Sequence, residues 1–383
     1  MAAPLHILLV ASTLDDDGGL PVCVAELAAA LAGLGHRVEI TGQYSTEIAP
    51  VIAGRAVSHG IEVTGFQRPW HLLGQLAAAR GVAALVAERA ATARATRGRL
   101  VVHNHGVWVP TVLAAANAAI ARCHLVISPH GMLRAPALEK SRLKKQLVFR
   151  TLLRQQLLAA EAIQATSQVE ADDLRALLPG CDPVIVPLGI VTPSATPRSR
   201  REPVAQRTAG YLGRILPIKN LEMLLHAWKT AAPDNWLLRI AGPGEPAYCS
   251  QLATLAATLG LADRVRFEPA VPHAALAEFF DRLDLFILPS KSEAFSLTVG
   301  EALAAGVPVI ATTAAPWGGV VSHGCGWCVE PDQAAITQAI REATACDSAT
   351  LTDMGQRGAA WVRHDYSWPA IAERHVRELY SAR

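Results

Sequence analysis

Two doubly wound parallel α/β domains are the fold class this sequence predicts, on three observations. At 383 residues the chain is long enough for two domains that each bury a core. Short apolar runs alternate with helical patterns in both halves, the rhythm of β-α-β units. Between the halves, from Pro187 onward, the texture turns to Pro, Ser, Thr and Arg, the composition of a linker. The expected division is 1–188, a linker at 189–207, a second domain at 208–365, and a closing helical segment at 366–383.

The first half opens on an apolar strand at 5–10, a Gly-containing polar loop and a helix over 20–34 that Gly35 ends. Strands follow at 37–41, 100–102 and 125–128. The second half gives strands at 208–212, 236–241, 265–268, 285–288 and 307–312, with helices at 221–229, 248–259, 276–280 and 297–304. In such sheets ligands bind beyond the carboxyl ends of the strands. Ser367 and Pro369 read as the cap and first turn of a final helix.

Composition excludes several classes. Hydrophobic residues make up 51% and aromatics 5%, with a formal net charge of only +2, so nothing argues for a nucleic-acid partner. Seven scattered cysteines fit reduced thiols better than a disulfide framework, and Cys325/Cys328 read as packing residues. The apolar run near the start lacks a basic region before it and reads as a strand. No run of about 18 uncharged apolar residues is present. A cytoplasmic protein is expected. Neither domain's first strand leads into Gly-x-Gly-x-x-Gly, nor is there a Gly-x4-Gly-Lys-Ser/Thr, which argues against a nicotinamide dehydrogenase and a P-loop NTPase.

The second half carries the most specific chemistry. Arg214 follows its opening strand and Lys219 lies five residues on, at the start of a helix. Cations at the carboxyl edge of a parallel sheet suit the oxygens of a diphosphate, although each alone is also an ordinary surface residue. The next strand ends in Ala-Gly-Pro-Gly, where Gly242 and Gly244 would let a ligand approach the backbone. The segment 289–303 then places Glu293 in a loop, a helix start near Ser296 and Leu297, and Glu301 one turn in. Free N–H groups at that start suit a phosphate. Glu301 suits a ribose diol, and Glu293 suits sugar hydroxyls.

These residues resemble the retaining family-4 glycosyltransferases of the GT-B fold. The matching features are Gly213-Arg214 with Lys219, the glycine turn at 241–244, and the Glu293/Glu301 pair followed by Ala302-Leu303-Ala304-Ala305-Gly306-Val307-Pro308-Val309. The resemblance covers most of 208–312 and extends more loosely to the amino-terminal half. It implies two Rossmann-like domains facing each other across a cleft, 1–188 on the acceptor side and 208–365 on the nucleotide-sugar side, with the last helix crossing back to the first domain. Arg214 and Lys219 would neutralise the diphosphate, Glu301 hold the ribose and Glu293 the transferred sugar. Ala294 and Ser296 stand where such enzymes usually carry glycines, so the sugar-facing loop differs here.

Three features of the first half join this reading. Gly18-Gly19 follow the first strand after Asp15-Asp16-Asp17; the resemblance brings them near donor phosphates or the acceptor, and an ordinary turn is the alternative. His130-Gly131 follow a strand, and in similar enzymes such a His lies beside the donor sugar; a structural His is the alternative. His103 and His105 also follow a strand and suit an acceptor pocket, or are plain loop histidines; too few further ligands lie near for zinc. The basic residues Lys140, Arg142, Lys144, Lys145, Arg150 and Arg154 share a stretch with leucines. At about 100° per residue Arg150 and Arg154 fall on the side of Leu143, Leu147 and Leu157, a poor membrane-surface helix but an attractor for an anionic acceptor or lipid headgroups. Trp317 either lines the site or packs.

The expected activity is hexosyl transfer with retention from a UDP- or GDP-linked sugar, without a metal or other cofactor, to a glycan or lipid-linked glycan in polysaccharide biosynthesis, at a membrane surface. A nucleotide-sugar epimerase on the same scaffold and a silent nucleotide-sugar binder are the rivals.

Overall fold

The computed structural model describes residues 4–15, 19–68, 72–139, 141–192 and 206–381. The chain divides into two compact units, one of residues 1–189 with 368–383 and the other of residues 190–367. Most of the linker expected at 189–207 lies outside the described residues.

In the first unit seven parallel strands form one sheet. They are β1 (His6–Ala11), β2 (Arg37–Tyr44), β3 (Glu62–Gln67), β4 (Leu100–His105), β5 (His124–Ser128), β6 (Ala162–Ala165) and β7 (Val184–Ile185), ordered β3-β2-β1-β4-β5-β6-β7. Strands β1, β4 and β5 are buried along almost their whole length, as expected for a parallel sheet covered on both faces. Helices Gly19–Gly33, Leu72–Ala95 and Pro110–Ala119 supply the cover, chiefly through Ala, Val and Leu. The order reverses between β1 and β4, which marks that point as the place for a ligand.

The closing segment, helix Trp368–Arg374 running into a π-helix His375–Tyr380, packs on this same unit. Its indole Trp368 occupies the space a side chain on Gly189 would need. His124 donates from Nε2 to the Leu379 carbonyl at 2.6 Å, and Arg374 donates to the Ile185 carbonyl at 2.7 Å.

The second unit holds six parallel strands: β8 (Arg207–Leu212), β9 (Trp236–Ala241), β10 (Val265–Glu268), β11 (Leu285–Leu288), β12 (Val309–Thr312) and β13 (Gly326–Val329). Their order, β10-β9-β8-β11-β12-β13, repeats the first unit's arrangement, with the reversal between β8 and β11. Both sheets are therefore doubly wound Rossmann-like layers, as the alternating apolar runs predict.

Candidate active site

In the second unit the candidate residues gather at the β8/β11 switch point. After β8, Gly213 and Arg214 lead to a 3₁₀ turn at Pro217–Lys219 and then to Asn220, left-handed at φ 60°. Asn tolerates that conformation better than most residues. Its buried amide donates to the Pro289 carbonyl at 3.3 Å, tying the loop after β8 to the loop after β11. Lys219 thus lies just before the helix Leu221–Ala231, not inside it.

That tie brings Lys219 to Glu293. Lys219 Nζ donates to Glu293 Oε1 at 2.5 Å, and the Ser290 hydroxyl donates to the same oxygen at 2.7 Å. The ammonium and carboxylate side chains are 17% and 10% exposed, so solvent screens the pair only partly. The Glu293 amide is fixed on the Ala314 carbonyl at 3.0 Å. Arg214 is exposed, and none of the described residues pairs its guanidinium. Its backbone carbonyl accepts from the buried Tyr211 hydroxyl at 2.9 Å.

The helix Leu297–Ala304 starts beside this pair. Ser296 at its head sits at φ 72°, where the steric cost for an L-residue is roughly 1–2 kcal/mol. Trp317 holds it there: its indole N–H donates to the Phe295 carbonyl at 2.7 Å and to that of Ser296 at 3.1 Å, and the ring is fully buried. Trp317 therefore packs under the loop and shapes it. Ser296→Gly is expected to stabilise the protein by about 0.5–1 kcal/mol, read from the urea midpoint; an unchanged or lower midpoint would show that Trp317 holds the serine without strain.

Glu301 faces inward one turn along. Burial drives its carboxyl up to about 7, and no described group donates a hydrogen bond to it. The residue is half-buried, which leaves the carboxyl within reach of a donor from outside the fold.

The turn glycines have a packing role. Gly242 has φ 144°, and a Cβ there would stand 1.9 Å from the Gly213 carbonyl oxygen. At Gly244 a Cβ would meet Ile215 and the Cys249 sulfur, both at 2.7 Å. Protein atoms occupy the position a Cβ would take at both, so they are required for close packing of the two strand-end turns.

In the first unit, Gly19 is the exposed first residue of its helix, whereas Gly18, Asp16 and Asp17 lie outside the described residues. Strand β4 runs on to His105, so His103 and His105 sit inside the sheet and not in a loop beyond it. His103 is fully buried, with both ring nitrogens used, on the Tyr380 hydroxyl at 2.8 Å and on Ser128 Oγ at 2.6 Å. His103 is closed to any acceptor, a correction of its expected role. His105, 2% exposed, meets His130 Nε2 through its own Nδ1 at 2.9 Å, with the rings stacked. It too reaches no acceptor directly.

His130 stands in the turn after β5 with φ 52°, followed by Gly131 at φ 75°. The turn is fastened by Glu170, a residue the sequence reading passed over. Its carboxylate accepts the Gly131 N–H at 2.5 Å and the Thr166 N–H at 2.8 Å, while its own N–H reaches Ser167 Oγ at 3.2 Å. Ser167-x-x-Glu170 has the capping-box spacing, with Glu170 reaching back to Thr166 instead of the cap's own N–H, and that signal was present in the sequence.

Burial holds His130 and His375 down at about 4, and burial together with neighbouring imidazoles holds His103 and His105 well below 6.5. Neutral in the fold, these rings take protons only on unfolding or at low pH. Their stabilisation is full above about 6.5 and is lost as pH falls towards 4. Glu301, held up, has the opposite sign between 4.5 and 7. Glu301→Gln is therefore expected to show a urea midpoint that falls steadily from pH 6.5 to 4.5; a flat profile would contradict the neutral cluster.

The basic stretch does not form one helix. Helix Arg142–Val148 gives way to a π-turn at Phe149–Leu153 before Arg154–Ala159. The wider π-turn shifts the phase, so Leu143 and Leu147 are 82% and 65% exposed whereas Leu157 is buried. Arg142, Lys145, Arg150 and Arg154 rim a cavity of about 640 Å³ whose walls include Leu138, Phe149 and Leu177. Lys140 lies outside the described residues. Among the described residues no three His, Cys, Asp or Glu side chains are grouped to hold a metal ion, and no helix is long and apolar enough to cross a membrane.

The family model described as glycosyl transferases group 1 matches residues 194–361, and that of a glycosyl transferase 4-like domain matches residues 18–189. A D-inositol 3-phosphate glycosyltransferase of Actinosynnema mirum is 32% identical over 328 residues, covering 77% of this chain and 76% of its own. One of Arthrobacter sp. is 29% identical, covering 96% and 91% respectively. Among solved structures, Anabaena HepE in complex with UDP and glucose matches at TM-score 0.74 and 19% identity over 98% of this chain and 100% of that one. Sucrose-phosphate synthase from Thermosynechococcus elongatus matches at TM-score 0.70 and 21% identity over 97% and 98%. Such likeness fixes the class, a nucleotide-sugar-dependent glycosyltransferase built from two Rossmann-like sheets. The chain belongs to the retaining family-4 glycosyltransferases of the GT-B fold.

Proposed function

We propose that this enzyme transfers a hexose from a UDP- or GDP-linked sugar to an anionic glycan or lipid-linked acceptor, without a metal. The observation that carries the reading is the Lys219–Glu293 pair, set at the β8/β11 switch point beside the start of helix Leu297–Ala304. Breaking the bond from C1 to the diphosphate oxygen leaves negative charge on the leaving group, so its stabilisation is the main demand on the site. Lys219, Arg214 and the free N–H groups at Ser296 and Leu297 supply it. Glu301, half-buried and without a donor among the described residues, suits the ribose diol. Glu293 holds Lys219 through one oxygen and turns towards the sugar as the loop's acceptor. His130 bonds the transferred sugar. Attack then comes on the face the diphosphate leaves, and the acceptor's proton passes to the departing phosphate oxygen.

The acceptor reading draws on the rim of Arg142, Lys145, Arg150 and Arg154 around apolar walls, with Leu143 and Leu147 exposed beside it. That combination suits an anionic headgroup with hydrocarbon attached, at a membrane surface. Arg150→Glu with Arg154→Glu is expected to abolish salt-sensitive co-sedimentation with phosphatidylglycerol vesicles; absence of such binding in the wild-type protein would remove the membrane part of the proposal.

The experiment for the reaction is nucleotide release in EDTA over a panel of UDP-, GDP- and ADP-sugars, with a lipid-linked glycan extract as acceptor. Release of one nucleotide only when acceptor is present is the expected result. Conversion of a donor without acceptor would indicate an epimerase, and binding without release a silent binder.

A further inference from the structure

Several hydrogen bonds in the first unit have only one consistent direction, and following them reaches His130. Gln164 donates from its amide to the Val186 carbonyl at 2.7 Å, so its oxygen must accept the Ser128 hydroxyl at 2.5 Å. Having given its proton away, Ser128 Oγ accepts from His103 Nε2–H at 2.6 Å. His103 Nδ1 is then bare and accepts the Tyr380 hydroxyl at 2.8 Å. His103 is thereby closed off as an Nε2–H tautomer, with nothing left for its neighbour.

His105 lies against it, ring centroids 4.1 Å apart, and bonds only to His130. One proton lies between His105 Nδ1 and His130 Nε2. If His130 donated it, His105 would carry its own proton on Nε2, which is buried and has no partner. That arrangement strands an N–H donor in the interior. If His105 donates, its Nε2 is a bare lone pair, and no donor is stranded. Buried orphan N–H groups are the rarer and costlier defect. The remaining titratable groups packed about the pair are His103, His375 and Tyr380, all buried and neutral, with the Glu170 carboxylate occupied by the Gly131 and Thr166 amides.

We infer that His105 is a positioning residue that locks His130 as the Nδ1–H tautomer, so that His130 offers any ligand at the carboxyl edge of β5 a hydrogen-bond donor and has no free lone pair with which to take a proton. No described group bonds His130 Nδ1, and the residue is only partly buried, so that N–H is open to a ligand. The tautomer depends on the fold alone, whereas its catalytic meaning rests on the reading of His130 given above. On that reading His130 donates to a sugar hydroxyl or a phosphate oxygen and cannot serve as the general base.

Long-range ¹⁵N–¹H correlation on histidine-labelled full-length protein tests this directly, with His130→Gln and His105→Asn spectra giving the assignments. The expected result at neutral pH is a protonated Nδ1 and a bare Nε2 on His130, with the reverse pattern of nitrogens on His103. A protonated Nε2 on His130 would overturn the inference whatever the enzyme's activity. His105→Asn keeps an N–H where Nδ1 stood and should retain both the tautomer and turnover within roughly threefold. His105→Leu should give a mixed His130 tautomer and lower kcat about tenfold with little change in donor KM. Equal turnover in the Asn and Leu variants would overturn the positioning role. Should the leucine variant fail to fold, the wild-type spectrum still decides. Loss of acceptor-dependent release in the wild-type protein, with the expected spectrum, would instead count against the transferase reading alone.

Discussion

Lys219→Ala and Glu293→Ala are each expected to slow acceptor-dependent nucleotide release by at least about tenfold, towards the roughly 10²–10³-fold cost of removing one stabiliser of developing charge. The two act through one contact. Lys219 reaches across to Glu293 in the loop after β11, and that carboxylate fixes its position at 2.5 Å with help from Ser290. Removing the lysine takes away charge that the transition state needs more than the ground state does, so kcat should fall more than KM rises. Removing the glutamate frees the ammonium to swing away and also deletes the loop's acceptor for a sugar hydroxyl. Lys219→Arg keeps the charge but replaces a compact ammonium by a planar fork, and should recover only part of the loss. Urea unfolding of each variant separates chemistry from folding. Near-wild-type turnover in both alanine variants would refute the site.

Gly242→Ala should be strongly destabilising. A Cβ at 1.9 Å from the Gly213 carbonyl oxygen meets backbone, which cannot rotate aside, and the φ of 144° is itself unfavourable for alanine. Relief requires parting the turns after β8 and β9, at a cost of about 3 kcal/mol or more. Gly54→Ala, in a helix with nothing within 4 Å of the new methyl, is the control and should be neutral or slightly stabilising. Equal urea midpoints for the two variants would show that the strand-end turns are looser than their geometry states.

The contrast between these glycines shows what the sequence could convey. Strand 285–288 was legible to the residue because a central strand of a parallel sheet is buried on both faces and leaves an uninterrupted apolar run. The loop from Ser290 to Ser296 was legible as a site segment because its polar residues interrupt such a run at a strand's carboxyl end. Partnership was not legible. Nothing in the spacing of Gly213 and Gly242 says that one fills the other's space, and nothing in His103 and His105 says that the strand runs on through them. Both facts depend on neighbours far along the chain, Tyr380 being 277 residues from His103. The π-turn at Phe149–Leu153 escaped for a local reason, since a fixed angle per residue assumes a regular helix.

The closing segment gives the order of synthesis a consequence. A ribosome moving at ~5–20 residues per second takes on the order of 10–40 s to go from Gly189 to Tyr380. During that interval the nascent first unit has its seven strands but lacks the hydroxyl that completes His103 and the carbonyl that receives His124. The second unit, continuous in the chain, can finish first. The half of the enzyme made earliest is thus the half completed last, and until then its β4–β5 region is the part most in need of chaperone cover.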